Sequence, residues 1–198
     1  MSTTVASAAR ADAPLATSRA GSPGVALGII AAIVLLDQWT KHLATTYLVP
    51  RHVPHEVIGE VVRFTLTFNP GAAFGMHLGD ASRWVFTILT LLILGFLVRL
   101  YTATPRHDTA LRLAVVTVMG GALGNLVDRL RSASGVVDFI DIGVGDVRFW
   151  TFNVADTAVS LGAVALVILH WRRDVQASRA AAAAALPDER LAPESSEP

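Results

Sequence analysis

The chain has 198 residues, of which 53% are hydrophobic and 16% are charged, and its mean hydropathy is +0.51. Soluble domains carry about 25% charged residues, so this composition is typical of a small integral membrane protein. The formal net charge is zero, which argues against a nucleic-acid partner, and the absence of cysteine excludes disulfides, thiolate catalysis and cysteine-based metal sites.

Four uncharged apolar runs indicate four membrane-spanning helices. The runs comprise residues 20–36, 84–98, 113–127 and 157–171. Because a span takes about 20 residues, each helix must carry a bracketing charge into the interface. We therefore expect an α-helical membrane core over 21–172, with helices at about 22–45, 83–102, 110–129 and 153–172. A soluble protein with four buried helices is the alternative, but little polar sequence remains to cover them.

The first run could be mistaken for a secretory signal peptide. It follows a long polar leader, and it continues into Asp37-Gln38-Trp39-Thr40-Lys41 rather than into a small-residue cleavage site. We interpret it as a retained anchor. The flanking segments 1–20 and 173–198 are expected to be cytoplasmic tails, the first of them disordered.

Basic residues favour an orientation with both termini in the cytoplasm. The two tails and the connection between the second and third runs hold nine basic residues, and the opposite side holds seven. The bias is small, but the arginines at 99–112 and the pair Arg172-Arg173 favour the same side. Near the outer face this orientation places four acidic residues, Asp37, Asp128, Asp138 and Asp156.

The first outer connection, about 49–78, contains a strand signal. Residues 63–68 alternate polar and apolar, Gly59 offers a turn before them, and Asn69-Pro70-Gly71 ends them. The small residues at 71–75 would let another backbone approach closely.

The second outer connection, about 131–151, resembles the first in its composition. Residues 136–142 are β-branched and aromatic, and residues 143–146 form a candidate turn before 147–150. Together the two connections predict a small β-sheet on the outer membrane surface.

The outer acids could form a proteolytic pair. Two facing carboxylates share a proton, so that the ionised one activates water and the protonated one donates to a carbonyl oxygen. The candidates are Asp128, Asp138 and Asp156, each of which could instead be an interfacial acid that simply reaches water. Such a pair needs no metal, cofactor, serine or cysteine.

Two asparagines accompany these acids at helical spacing. Asn125 precedes Asp128 by three residues, and Asn153 precedes Asp156 by three, so each pair shares a helical face. This repetition predicts a hydrogen-bonded polar cluster rather than isolated charges.

Asp37 and Lys41 are four residues apart and also share a face. They form either an ion pair at the end of the helix or a group that positions a polar site or a lipid head group. The small residues at 120–124 are typical of close helix packing.

Other catalytic classes have weaker support. His52 and His55 lack the helical HExxH pattern of zinc hydrolases, and the serines at 82, 132, 134 and 160 have no supporting lysine or histidine motif.

The motifs resemble those of lipoprotein signal peptidase, the type II signal peptidase of bacteria. Five stretches occur in the order of that family across 37–162. They are Asp37-Gln38-x-x-Lys41, Asn69-Pro-Gly-Ala-Ala-Phe-Gly75, Gly120-Gly-Ala-Leu-Gly-Asn-Leu-Val-Asp-Arg129, Val136-Val-Asp-Phe-Ile140 and Phe152-Asn-Val-Ala-Asp156.

The resemblance implies a four-helix membrane aspartic endopeptidase with a small extracytoplasmic sheet. Such enzymes cut the signal peptide from prolipoproteins just before a diacylglyceryl-modified cysteine. The catalytic pair would be Asp138 and Asp156, although Asp128 competes with Asp138 on sequence alone. The positions that support the site or bind substrate would be Asp37, Lys41, Asn69, Gly71, Asn125, Asp128, Arg129, Asn153 and Ala155. The resemblance implies neither a metal nor a cofactor.

The expected partners are diacylglyceryl prolipoproteins and membrane lipids, and no nucleic acid. We expect a multi-pass monomer in the bacterial cytoplasmic (inner) membrane, with cytoplasmic termini, an active site near the outer face and lateral substrate entry from the bilayer. A proton-coupled carrier and a lipid-binding scaffold are the rival classes, which a cleavage assay separates from a peptidase. A carrier would place its acids nearer the membrane midplane.

Overall fold

The computed structural model describes residues 22–71 and 81–184. In chain order its elements are α1 (Pro23–Tyr47), β1 (Pro54–Ile58), β2 (Val62–Asn69), α2 (Ser82–Ala103), α3 (Thr109–Arg131), β3 (Val136–Val144), β4 (Val147–Arg148) and α4 (Val154–Ala184). All four helices are long and apolar enough to cross a membrane. The predicted four-helix membrane fold with a small sheet is confirmed. The predicted disordered tail at 1–20 and the small residues at 72–75 lie outside the described residues.

Helix α1 buries only a narrow face. Ser22 caps its first turn and Pro23 occupies the first helical position, where the missing N–H costs no hydrogen bond. Leu27 and Leu35 are 67% and 69% exposed, which suits contact with lipid acyl chains. The apolar run ended at Asp37, but the helix continues to Tyr47, so Asp37 lies inside α1 rather than at its end.

Helix α3 is the centre of the bundle and contacts each of the other three helices. Its glycines make this close approach possible. A Cβ on Gly121 would lie 2.3 Å from the carbonyl oxygen of Ala155 in α4, and one on Gly120 would lie 2.9 Å from Ile33 in α1. The small residues of α3 therefore serve helix packing, as their spacing indicated.

Two arginines tie the antiparallel helices α2 and α3 together at opposite ends. Arg83, at the start of α2, donates to the backbone carbonyl of Arg129 at the end of α3. Conversely, Arg112 at the start of α3 donates from Nη1 to the carbonyl oxygen of Thr104, just after α2, over 2.7 Å, and its guanidinium stacks on the Tyr101 ring at 3.8 Å. Each guanidinium satisfies carbonyls that a helix end leaves unpaired.

The sheet is antiparallel, with strand order β1-β2-β3-β4. The sequence predicted β2 and β3 and a turn before 147–150, but it did not predict β1 or β4 as strands. β1 is an edge strand, and most of its residues are exposed. This position suits Pro54, which has no backbone N–H to donate to a neighbouring strand. The register of β2 against β3 shifts between Phe64 and Thr67, and Thr67 pairs with Asp138 just beyond this bulge. Bulges of this kind often re-aim a side chain next to an active site.

The sheet is fixed to the bundle by a small apolar cluster. Leu66 of β2 and Val137 and Phe139 of β3 pack against Ala44 near the end of α1. Burial of these side chains holds β3 directly over the helix ends. Asp138, between two buried apolar residues, thereby acquires a fixed position relative to α1.

Helix α4 is longer than predicted. The sequence indicated an end at residue 172, where hydropathy falls, but the helix continues to Ala184. Its 31 residues span about 46 Å, which exceeds the bilayer core of about 30 Å. The extension is rich in alanine, the residue with the highest helix propensity, so it remains helical. It also contains charged residues and is therefore too polar to lie within the bilayer core. The remainder of the predicted tail, 185–198, lies outside the described residues.

The Arg112 cap generates a prediction about stability. Arg112 is only 5% exposed, so Arg112→Met should leave the carbonyls at the end of α2 buried without a donor and cost about 1.5–3 kcal/mol. The measurement is thermal unfolding of the detergent-solubilised protein. Arg106→Met, which removes an exposed arginine nearby, is the matched control. Equal unfolding temperatures for the two variants would contradict the role of Arg112 as a cap.

Candidate active site

The structure brings the four outer acids together from four different elements. Asp37 comes from α1, Asp128 from the last turn of α3, Asp138 from β3 and Asp156 from the first turn of α4. The first three are 0%, 7% and 3% exposed, and Asp156 is partly buried. Their convergence agrees with the prediction that all four acids lie on one side of the bundle.

Two of the acids form ion pairs with one buried lysine. Lys41, 3% exposed, places Nζ 2.8 Å from Asp37 Oδ2 and 2.8 Å from Asp128 Oδ2. Gln38 adds an amide donor, with its Nε2 2.9 Å from Asp128 Oδ1 and 3.2 Å from Asp37 Oδ2. The predicted ion pair between Asp37 and Lys41 is therefore present. It lies buried inside a larger polar cluster and not at the membrane interface.

The same two acids also hold backbone in place. Asp37 Oδ1 accepts from the N–H of Ala155 over 2.9 Å, and this satisfies one of the N–H groups that the start of α4 leaves unpaired. Ala155 is fully buried, and its Cβ would be 3.1 Å from a Cβ on Gly124 of α3, so only small residues fit there. Asp128 Oδ2 accepts from the N–H of Val137 over 3.2 Å, which fixes the residue before Asp138.

Asp138 is held by amides rather than by a cation. Asn153 Nδ2 donates to Asp138 Oδ1 over 2.7 Å, and the side chain of Asn69 also hydrogen-bonds this carboxyl group. Burial, and next the negative charge of Asp156, raise the pKa of Asp138 to about 7, although Asn153, Lys41 and Asn69 oppose the rise. Asp138 is therefore able to carry a proton near neutral pH.

Asp156 sits in a reciprocal helix cap. Its backbone N–H donates to Asn153 Oδ1 over 2.9 Å, and its Oδ2 accepts from the backbone N–H of Asn153 over 3.2 Å, in the manner of a capping box. Asn125 Nδ2 of α3 donates to Asp156 Oδ1 over 2.7 Å. These donors and the N-terminal end of the helix favour the ionised carboxylate.

The remaining predicted residues lie at the edge of this cluster. Arg129 is close enough to interact electrostatically with Asp128, Asp138 and Asp156, and within the described part of the chain its buried Nε has no hydrogen-bond partner. Gly71 has a φ of +109°, and a Cβ there would lie 2.7 Å from the Phe86 ring. Its N–H donates to Asn69 Oδ1 over 3.0 Å, which closes a tight turn after β2.

The sequence did not reveal two features. Gln38 appeared there only as part of a motif, without a role of its own. The ion pairs within the sheet were not predicted. Asp141 of β3 pairs with Arg148 of β4 and Arg63 of β2, and Thr65 donates to it over 3.1 Å. Burial alone would raise the pKa of Asp141, but Arg148, Thr65 and Arg63 hold it below its usual range. The alternation of Arg63 and Thr65 on β2 was the available signal, because it puts both side chains on one face.

The cluster as a whole offers carboxylates and amide donors. Across residues 22–71 and 81–184, no group of three or more histidine, cysteine, aspartate or glutamate side chains is arranged to hold a metal ion. The described side chains of the cluster offer carboxyl groups that can exchange protons and amides that can donate hydrogen bonds.

Comparisons with known proteins give a consistent result. The family model described as Signal peptidase (SPase) II matches residues 29–172. The lipoprotein signal peptidase of Coxiella burnetii (strain RSA 331 / Henzerling II) is 40% identical over 141 residues, covering 70% of this chain and 83% of that protein. The lipoprotein signal peptidase of Hydrogenovibrio crunogenus is 39% identical over 142 residues, covering 69% and 78%.

A solved structure shares both the fold and part of the sequence. It is described as a bacterial membrane enzyme structure obtained by the in meso method at 2.3 Å resolution. Its TM-score is 0.68 at 31% identity, over 76% of this chain and 89% of that chain. Since the family model covers most of the four-helix core, including all four clustered acids, the chain belongs to the signal peptidase II family.

Proposed function

We propose that Asp138 and Asp156 are the catalytic pair of this peptidase. They would remove the signal peptide from diacylglyceryl-modified prolipoproteins by hydrolysing the bond before the lipidated cysteine. Membership of the signal peptidase II family makes the chain a prolipoprotein-processing protease. The proposal adds which two of its acids act on the bond.

One observation carries this assignment, namely the difference between the partners of the four acids. Asp37 and Asp128 each lie 2.8 Å from the Lys41 ammonium, so they are committed as counter-ions. Among the described residues no basic side chain forms an ion pair with Asp138 or Asp156, and both are bound by asparagine amides. A carboxyl group without a directly bound cation can exchange a proton during a reaction, which also argues against Asp128 as a member of the pair.

The raised pKa of Asp138 supports placing the resting proton of the pair on this residue. With that pKa at about 7, Asp138 is the proposed protonated member and Asp156 the proposed ionised one. Asp156 is suited to the ionised state, since it caps α4 and accepts from Asn125 and Asn153. Environments that separate two carboxyl groups in this way define an acid and a base.

The reaction follows from these roles. Asp156 takes a proton from a water molecule, whose oxygen attacks the carbonyl carbon of the scissile peptide, while Asp138 donates to the carbonyl oxygen. In the resulting tetrahedral intermediate the C–N bond breaks, and the amine nitrogen leaves with a proton returned from Asp156. As the C=O bond re-forms, one hydroxyl group of the intermediate returns its proton to Asp138, and the new carboxyl terminus departs with the signal peptide. Proton transfer by such positioned groups contributes about 10²- to 10⁴-fold each.

Groups around the pair are suited to holding the substrate backbone. Asn69 and Gly71 form a tight turn beside Asp138, and Arg129 presents a buried guanidinium to the same region. The turn offers close approach without a side chain, and the guanidinium offers donors for a peptide carbonyl.

The enzyme would act as a monomer in the bacterial cytoplasmic membrane, with the site near the outer face and both termini in the cytoplasm. Supporting the orientation, Arg99 near the end of α2, Arg106 in the connection to α3 and Arg172 within α4 lie on the side of the bundle opposite the sheet. Lateral entry would keep the lipid of the substrate in the outer leaflet. The exposed leucine-rich faces of α1 and α2 would contact membrane lipids.

Substitution of either proposed catalytic acid should abolish cleavage. Asp138→Asn and Asp156→Asn should each lower the cleavage rate by about 10²-fold or more, since each removes one proton-transfer group. The measurement is a gel-shift assay with purified protein and a diacylglyceryl prolipoprotein. Asp146→Asn, at an exposed turn of the same sheet, is the matched control and should cleave at the parental rate. Cleavage that survives in Asp138→Asn but not in Asp128→Asn would move the partner role to Asp128.

The rate should also depend on pH through Asp138. Because its raised pKa of about 7 keeps it protonated below that pH, activity should decline as pH rises through about 7, by up to about tenfold per unit. The measurement is the initial cleavage rate from about pH 5 to pH 9, with thermal unfolding at each pH to exclude denaturation. A rate that stays constant or rises over the alkaline half would contradict the assignment of the proton.

The proposed orientation can be tested because the chain contains no cysteine. The variant Asp146→Cys contains a single cysteine, which should react with an impermeant maleimide in intact spheroplasts, since the sheet would face outward. One at Arg106→Cys should react only after permeabilisation. The reverse pattern would overturn the assigned orientation.

A further inference from the structure

Three asparagine amides surround the proposed catalytic pair. Asn69 and Asn153 hydrogen-bond Asp138, and Asn125 Nδ2 donates to Asp156 Oδ1 over 2.7 Å. An asparagine side chain has an oxygen that only accepts and an NH₂ that only donates, and the two ends are nearly the same size. An asparagine amide therefore donates a hydrogen bond to a carboxylate only if another group holds its NH₂ end toward that carboxylate.

In each case a group that can only donate occupies the oxygen end. The N–H of Gly71 donates to Asn69 Oδ1 over 3.0 Å, and the N–H of Asp156 donates to Asn153 Oδ1 over 2.9 Å. For Asn125 two side chains donate to the oxygen, since Lys41 Nζ lies 2.9 Å and Asn153 Nδ2 lies 3.0 Å from Asn125 Oδ1.

The ammonium of Lys41 is well placed to be a fixed donor. It has three N–H groups, and three acceptors surround it at 2.8, 2.8 and 2.9 Å, on Asp37, Asp128 and Asn125. The two carboxylates hold the ammonium on either side, so its third N–H is directed at the amide. A reversed Asn125 would turn its NH₂ toward the ammonium and its oxygen toward Asp156, and both contacts would be repulsive.

We propose that Lys41 is a positioning residue that sets the orientation of the Asn125 amide and so keeps a hydrogen-bond donor on Asp156. This inference rests on the proposed function, because it concerns the carboxylate assigned there as the base. Lys41 need not touch the substrate, and its effect on the reaction passes through Asn125. The other donor to this oxygen, Asn153 Nδ2, has two N–H groups and three acceptors, namely Asn125 Oδ1, Asp138 Oδ1 and the carbonyl of Val137. Lys41 has one N–H for each of its three acceptors, so it is the donor that can be directed fully at Asn125.

A purely structural lysine would behave differently. Lys41 joins α1 to α3, so its loss could slow the enzyme simply by loosening the bundle. A structural tie should act equally whether or not Asn125 is present, whereas an orienting donor has nothing to orient once Asn125 is gone. A double-mutant cycle separates the two cases.

The experiment compares Lys41→Met in the parent and in Asn125→Ala. Single-turnover cleavage of a diacylglyceryl prolipoprotein, with enzyme in excess, keeps slow variants measurable. In the parent, Lys41→Met should lower the maximal rate by about 10- to 100-fold, the range expected when a reacting group is misplaced, while half-saturation changes less than about twofold. In Asn125→Ala the same substitution should cost less than about threefold. An equal loss in both backgrounds would overturn the proposal.

A second background guards against misfolding. Lys41→Met alone leaves Asp37 and Asp128 buried without a cation, which can unfold a protein. Lys41→Met combined with Asp128→Asn keeps the net charge of the cluster, because one positive and one negative charge disappear together. Measured against Asp128→Asn, the loss of Lys41 should again slow cleavage, and this effect should again vanish with Asn125→Ala.

Failure of this proposal differs from failure of the catalytic assignment. An additive cycle, in an enzyme that still requires Asp138 and Asp156, overturns the role of Lys41 and leaves the pair in place. Cleavage that persists in both Asp138→Asn and Asp156→Asn overturns the pair, and the role of Lys41 with it.

Discussion

The arrangement of the site depends on the buried ammonium of Lys41. A charge at membrane depth is costly unless it is paired, and here one cation serves two carboxylates and an amide. Those two carboxylates in turn accept from backbone at the start of α4 and of β3, through Ala155 and Val137. One ion cluster therefore links α1 and α3 to the two segments that carry the proposed catalytic acids.

This linkage divides four chemically identical side chains into two roles. Asp37 and Asp128 are satisfied by charge, and their positions define the frame. Asp138 and Asp156 are satisfied by neutral amides, so they retain the freedom to exchange a proton. The same residue type thus provides both the support and the proposed chemistry, and the difference between them is the identity of the nearest donor.

The bundle itself is held by close packing and by helix capping rather than by a large apolar interior. Gly121 and Gly124 bring α3 against α4, while Arg83 and Arg112 satisfy carbonyls at opposite ends of the α2–α3 pair. In a bilayer, contact between apolar side chains offers little advantage over contact with lipid, so small residues and hydrogen bonds to backbone determine which helices associate. The narrow buried faces of α1 and α2 are consistent with this principle.

The sequence by itself determined the four spans, the strand signals of β2 and β3 and the set of acids, because hydropathy and alternation are local properties. The spacing of Asn153 and Asp156 also predicted a polar cluster, and the two residues are hydrogen-bonded, although Asn153 caps α4 and does not lie on its face. Local patterns did not reveal β1, an exposed edge strand, or the extension of α4 to Ala184, where helix propensity outlasts hydropathy. Nor could they distinguish Asp128 from Asp138, since both are acids beside apolar segments. Only the tertiary structure decided that Lys41 binds Asp128 and that asparagine amides bind Asp138, because each acid and its partners lie on different segments of the chain.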